Sequence, residues 1–182
     1  MVRIAFAGLA MLALAGAAAA EEDNGPALVD LFARTCARRP ALPSEIERLA
    51  SGLGFVSEGG PISADMERGP RIDILYMARL TKQGANVGLT AYFDGPPDGL
   101  SVTCALTAVD VSADALAGLI EGSLDAHDRT EEADADHRRR QASWRVGATG
   151  GGDTLHMSAW RDSPRRASIR MVYNSRKDRR AQ

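Results

Sequence analysis

Only two cysteines, Cys36 and Cys104, occur in the chain, so one intramolecular disulfide is the most it can form and no framework of several bridges is open to it. Signatures of catalysis are equally scarce. The sequence has no nucleophile elbow and no serine or cysteine set beside an oriented base, which removes the recognisable routes to nucleophilic catalysis. The glycine-rich run Gly147 to Asp153 lacks the lysine and following serine or threonine of a phosphate-binding loop. It also leads into a strand pattern rather than a helix, and so reads as a hairpin loop. The chain has three histidines, His127, His137 and His156. The first two lie among Asp125, Asp128, Glu131, Glu132, Asp134 and Asp136, but that stretch has no apolar anchor to fix ligands and lacks the glycine and terminal glutamate of an EF-hand. No metal and no cofactor is expected there. Lysine is confined to Lys82 and Lys177, leaving arginine to carry the positive charge; with abundant alanine, this is the bias of a GC-rich bacterial genome.

What is present begins with residues 1–20. Arg3 stands in a short basic region, a run of roughly a dozen apolar residues follows, and Ala18 and Ala20 precede Glu21-Glu22-Asp23. This predicts a secretory signal cut after Ala20, no transmembrane segment after cleavage, and a soluble product in the periplasm or the medium. In that oxidising setting Cys36 and Cys104 are expected to be bonded.

The remaining residues, 21–182, have the length of a single domain. Gly25-Pro26 opens a helix whose Leu28, Leu31, Phe32, Thr35 and Cys36 form one buried stripe, closed by Arg38-Arg39-Pro40. Ser44 and Glu47 read as a capping box for a second helix with Ile46, Leu49, Ala50 and Leu53 on its apolar face, ended by Gly52 or Gly54; the two helices read as a hairpin. Residues 54–71 read as a long mobile loop with at most a short strand near Phe55-Val56. Three strands follow, Ile72 to Leu80, Val87 to Phe93 and Gly99 to Ala108, joined as an antiparallel meander. The first has apolar residues on both faces, as in a strand that is central in the sheet or covered on both sides. In the third, Val102, Cys104 and Leu106 alternate inward, so Cys104 can reach Cys36 if the first helix docks on this sheet.

Ser112 is a plausible N-cap for a helix with Leu116, Leu119 and Ile120 inward. Asp125 to Arg140 has no large apolar residue, so residues 125–142 read as a charged linker. Ser143 to Ala148, Thr154 to Arg161 and Ala167 to Asn174 read as three further strands, and residues 175–182 as a frayed basic end. The order ααβββαβββ predicts an α+β fold, with an antiparallel sheet of five or six strands and helices packed on one face.

Charge is unevenly spread. Between Asp110 and Asp136 nine acids face Arg129 alone, whereas Arg161 to Gln182 holds eight basic residues against two acids. The basic end, with Arg165, Arg166, Arg170, Arg176, Arg179 and Arg180, is a candidate anion-binding surface for an envelope protein or an anionic envelope polymer, unless it pairs with the acidic stretch or is simply solvated. No aromatic series interleaves these arginines, which disfavours nucleic acid. His156 and Ser158 project from the outer face of their strand. They mark the enzyme alternative, whose condition is a deep pocket with convergent polar groups around them.

Phe32-x-x-x-Cys36 on the first helix, a proline-led second helix ending in Gly54-Phe55, and Cys104 on a later strand resemble small exported proteins of unknown function from Gram-negative bacteria. The resemblance implies a periplasmic domain with Cys36 and Cys104 paired, and it carries no catalytic residue and no ligand. The reading is thus an exported, non-catalytic binding or interaction module.

Overall fold

In the computed structural model, residues 23–82, 85–133, 138–147, 153–160 and 165–175 are described. The elements run α1 (Gly25–Arg34), α2 (Pro43–Gly52), β1 (Val56–Ser57), β2 (Ile72–Lys82), β3 (Ala85–Gly95), β4 (Ser101–Val109), α3 (Ala113–Ser123), β5 (Ala126–Ala133), β6 (Arg139–Val146), β7 (Thr154–Trp160) and β8 (Arg166–Asn174), with a single 3-10 turn at Cys36–Arg38. All the strands lie in one antiparallel sheet of eight, ordered β1-β2-β3-β4-β8-β7-β6-β5. Each half of the sheet is a helix followed by a four-stranded meander, and the last strands of the two meanders pair at the centre.

This corrects the expected five or six strands. The strand that was missed is β5, in the stretch read as a linker, and β6 begins at Arg139, also inside that stretch. β5 carries AHDRTEEA and buries little of its own, but as an edge strand it needs only one neighbour. Backbone pairing with β6 holds it, helped by ion pairs of Arg129 with Glu121 and Glu131 and of Arg140 with Asp114 and Glu131. A register shift between His127 and Thr130 marks a bulge, and charge plus irregularity is how exposed sheet edges resist pairing with other chains. Acids of the 110–136 stretch thus meet Arg129, Arg140 and Arg145.

The inward residues of β4, Val102, Cys104, Leu106 and Ala108, are all buried, and register aligns them with Tyr173, Met171, Ile169 and Ala167 of β8. The helices cover this face: α1 packs on α3 and β4, α2 on β1, β2 and β3, and α3 on β5 and β7. The two N-terminal helices therefore cap different parts of the sheet instead of pairing as a hairpin. Cys36 lies in the 3-10 turn just beyond α1 and is bonded to Cys104 with Cα atoms 5.5 Å apart, so the turn is clamped to the central strands. That bond was legible in the sequence.

Other local expectations divide. Ser112 does cap α3, its hydroxyl accepting from the Ala115 amide. Gly54 does close α2: at φ +89° it lets the Phe55 amide bond to the Ala50 carbonyl and its own amide to Ser51, a Schellman ending. The capping box of Ser44 and Glu47 does not form. Helix α2 starts at Pro43, the Ser44 amide and hydroxyl donate to Glu67, and Glu47 accepts from the Ile62 amide. These acids tether the loop of residues 58–71 to α2, and β1 is the short strand expected near its start.

Candidate functional site: the uncovered sheet face

All described helices lie on one face of the sheet, and among the described residues no helix covers the other, the bare face. Strand β2, read as central or covered on both sides, lies between β1 and β3 but leaves Leu75 and Met77 exposed there, beside Tyr92 of β3. Ser175, the first residue of the end read as frayed, donates its amide to the Leu100 carbonyl; Arg176, Arg179 and Arg180 lie outside the described residues.

On the second half of the bare face, register assembles a square of outward side chains. Strand β6 contributes Arg139, Gln141 and Ser143; the β7 residues paired with them are Trp160, Ser158 and His156. The β8 residues paired with those are Arg166, Ser168 and Arg170. Neighbours in such a square stand about 4.8 Å apart across strands and roughly 7 Å apart along them. The middle row, Gln141, Ser158 and Ser168, is polar and has small hydroxyls at two of its three places, while arginine, indole and imidazole stand at its ends. Long side chains around a low floor leave a pit of about 240 Å³, which Glu132 of β5 also lines.

The corresponding positions in the first half differ in kind. Strand β2 has Asp73, Leu75 and Met77 there, β3 has Asp94, Tyr92 and Thr90, and β4 has Ser101, Thr103 and Ala105. Large side chains fill the floor, and the two charges among these nine positions, Asp73 and Asp94, are negative, with Arg71 paired to Asp94. The Tyr92 hydroxyl is pushed above its ordinary range, first by its hydrogen bond to Asp73. One fold therefore carries a raised acidic and apolar half beside a hollow basic half.

Within the pit, Arg139 is fixed. Its Nη2 donates to Gln141 Oε1 at 3.0 Å and to Ser158 Oγ at 3.1 Å, and its guanidinium carbon lies 5.3 Å from the centre of the Trp160 ring. Its Nε is shut off from water and has no acceptor among the described residues. Arg170 is exposed and makes no hydrogen bond or ion pair among the described residues. The His156 imidazole is held below its ordinary range, first by burial and then by the Arg170 charge, with Glu132 opposing both.

Of the arginines expected to bind anions, the structure therefore places Arg170 in the pit and Arg166 beside Trp160 on the same face. Arg165 stands just before β8, where its carbonyl accepts from the Asp110 amide. Arg139, hidden in the supposed linker, was missed although Trp160 and His156 were correctly read as outward. His156 and Ser158 do share the pit, but no hydrogen bond joins them among the described residues, and the Ser158 hydroxyl is engaged by Arg139. A serine nucleophile needs a base within about 3 Å. The pit does bring polar groups together around both residues, with the Ser158 hydroxyl turned to Arg139. Among the described residues no three histidine, cysteine or acidic side chains gather to hold a metal ion.

A second, open groove of about 530 Å³ carries Arg34, Arg38 and Arg48 between the turn after α1 and α2. Arg34 is paired with Asp30, and the groove has no hydroxyl floor and no aromatic wall. It is the poorer site. No helix among the described residues is long and apolar enough to cross a membrane. Comparison of the chain with protein-family models, curated proteins and solved structures finds no match.

Proposed function

We propose that the chain is an exported, non-catalytic binding module of the cell envelope, akin to small exported proteins of Gram-negative bacteria, and that it meets its partner with the bare face of its sheet. One observation supports this above the others: the bare face carries a preformed polar pit whose serines are hydrogen-bonded or unpaired rather than activated by a base. Conformations fixed before binding lose little freedom when a ligand arrives. The disulfide suits an oxidising compartment.

The test is photo-cross-linking in intact envelopes, with a benzophenone amino acid replacing Thr103 on the bare face or Ala115 on the exposed side of α3. Adducts from position 103 and none from 115 are expected. Adducts from 115 alone would place the contact on the helical face and end the proposal. Export is checked separately by mass spectrometry, with a mature N-terminus at Glu21 expected.

The enzyme reading keeps one observation in its favour, an imidazole whose protonated form burial disfavours, two residues from a serine in the same pit. Hydrolysis of an activated ester by the purified protein, lost in both His156→Ala and Ser158→Ala, would replace the binding reading.

A further inference from the structure

We infer that the pit binds one singly charged oxyanion carried on a small polar unit, with Arg170 as the cation facing the ligand and Arg139 as a fixed second charge. The inference deepens the binding reading above and rests on it. A sugar carboxylate and a backbone phosphodiester of an envelope polymer present the same chemistry.

Charge selects the ligand's sign. Arg139 and Arg170 line the pit against Glu132 alone, while His156 stays uncharged near neutral pH because burial and Arg170 both disfavour its proton. The balance is one positive charge, which one negative charge neutralises. Guanidinium selects the ligand's shape. Its planar fork matches carboxylate and phosphate oxygens, and Arg170 has that fork unoccupied among the described residues.

Arg139 plays the complementary part. Locked by Gln141, Ser158 and the Trp160 ring, it supplies charge without losing side-chain freedom on binding. Size limits the rest of the ligand. A volume of about 240 Å³ equals roughly eight water molecules at about 30 Å³ each, room for one sugar unit and below the usual span of cofactor pockets. The serine hydroxyls on the floor can bond to sugar hydroxyls, and Trp160 offers a wall that is apolar in body and polar at its tip. The first half of the same face offers no such pit: Asp73 and Asp94 stand where the second half has Arg139 and Trp160, and Arg71 there is already paired with Asp94.

The experiment titrates the purified protein with D-galacturonate, dimethyl phosphate or D-galactose, reading the indole N–H signals by proton–nitrogen NMR. Trp144, buried and bonded to Glu121, serves as the internal reference, and Trp160→Phe assigns the other signal. One or both anions should move the Trp160 signal while galactose does not, and the tighter anion names the source. Arg170→Gln should weaken that binding about ten-fold or more, as expected for the loss of a charged hydrogen bond. Glu132→Gln should tighten it several-fold, and Arg79→Gln in the first half should leave it unchanged. A response to galactose as large as that to the tighter anion would overturn the oxyanion site. Silence toward all three probes would overturn it as well, while leaving the cross-linking result for the bare face intact.

Discussion

The Tyr173 hydroxyl donates a 2.8 Å hydrogen bond to the Pro40 carbonyl, joining the last strand of the sheet to the bend between the first two helices. Both groups are buried, and burial drives the phenol far above its ordinary range, so it acts only as a neutral donor. Replacing Tyr173 with Phe leaves the carbonyl without this partner, which costs about 1–2 kcal/mol. At roughly 2–4 °C per kcal/mol for a domain of this size, the thermal midpoint should fall by about 2–8 °C. Circular dichroism melting of the variant checks this, and an unchanged midpoint would show that water reaches the bend.

The disulfide works on the same junction through the unfolded chain. Cys36 and Cys104 are 68 residues apart in sequence, and closing a loop of that length restricts the unfolded ensemble by about 4 kcal/mol in the chain-entropy model. The double variant Cys36→Ala, Cys104→Ala should therefore unfold at a much lower urea concentration than the oxidised protein. The oxidised protein should also resist thiol labelling until it is reduced. Coincident urea midpoints would mean that the turn after α1 can be released without weakening the sheet.

The sequence made this junction readable because both cysteines sit on apolar patterns of the ordinary period, one helical and one alternating. Strand β5 was not readable for the opposite reason: Asp128, Arg129, Glu131 and Glu132 leave no apolar alternation, and an edge strand depends on backbone pairing that composition does not encode. Missing β5 also hid the pit, because its floor exists only when β6, β7 and β8 lie in one particular register. Trp160, Ser158 and His156 could be placed on one face by alternation alone. Nothing local brings Arg139 beside Trp160, since their pairing depends on the hairpin that joins β6 to β7.

Hydrogen exchange tests the reassignment of β5 directly. Amides of β5 that bond to β6 should exchange more slowly than those of an unstructured linker, with the bulge between His127 and Thr130 the fastest part. Arg140, which ties Glu131 of this strand to Asp114 of α3, is the local fastener. Arg140→Ala should speed exchange in β5 while changing global stability by no more than about 1 kcal/mol, the range of exposed ion pairs. Exchange across residues 126–133 as fast as in a free peptide would restore the linker.

His156 gives the pit a dependence on pH with a definite sign. Burial and the Arg170 charge both disfavour the imidazolium, and Glu132 only partly opposes them, so the folded pKa lies below the ordinary 6.5. Between these values the unfolded chain binds the proton more readily than the folded one. By linkage, this contribution to stability is present above pH 6.5 and is lost as pH falls toward and through the lowered folded value. An NMR titration of the imidazole C–H should therefore give a midpoint below 6.5. Arg170→Gln removes a repelling cation and should raise that midpoint, whereas Glu132→Gln removes the attracting carboxylate and should lower it. Urea unfolding at pH 7.5 and pH 5 should lose part of its pH dependence in His156→Gln. A midpoint at or above 6.5 in the unaltered protein would mean that the imidazole is solvated, and that His156 adds positive charge to the pit near neutral pH.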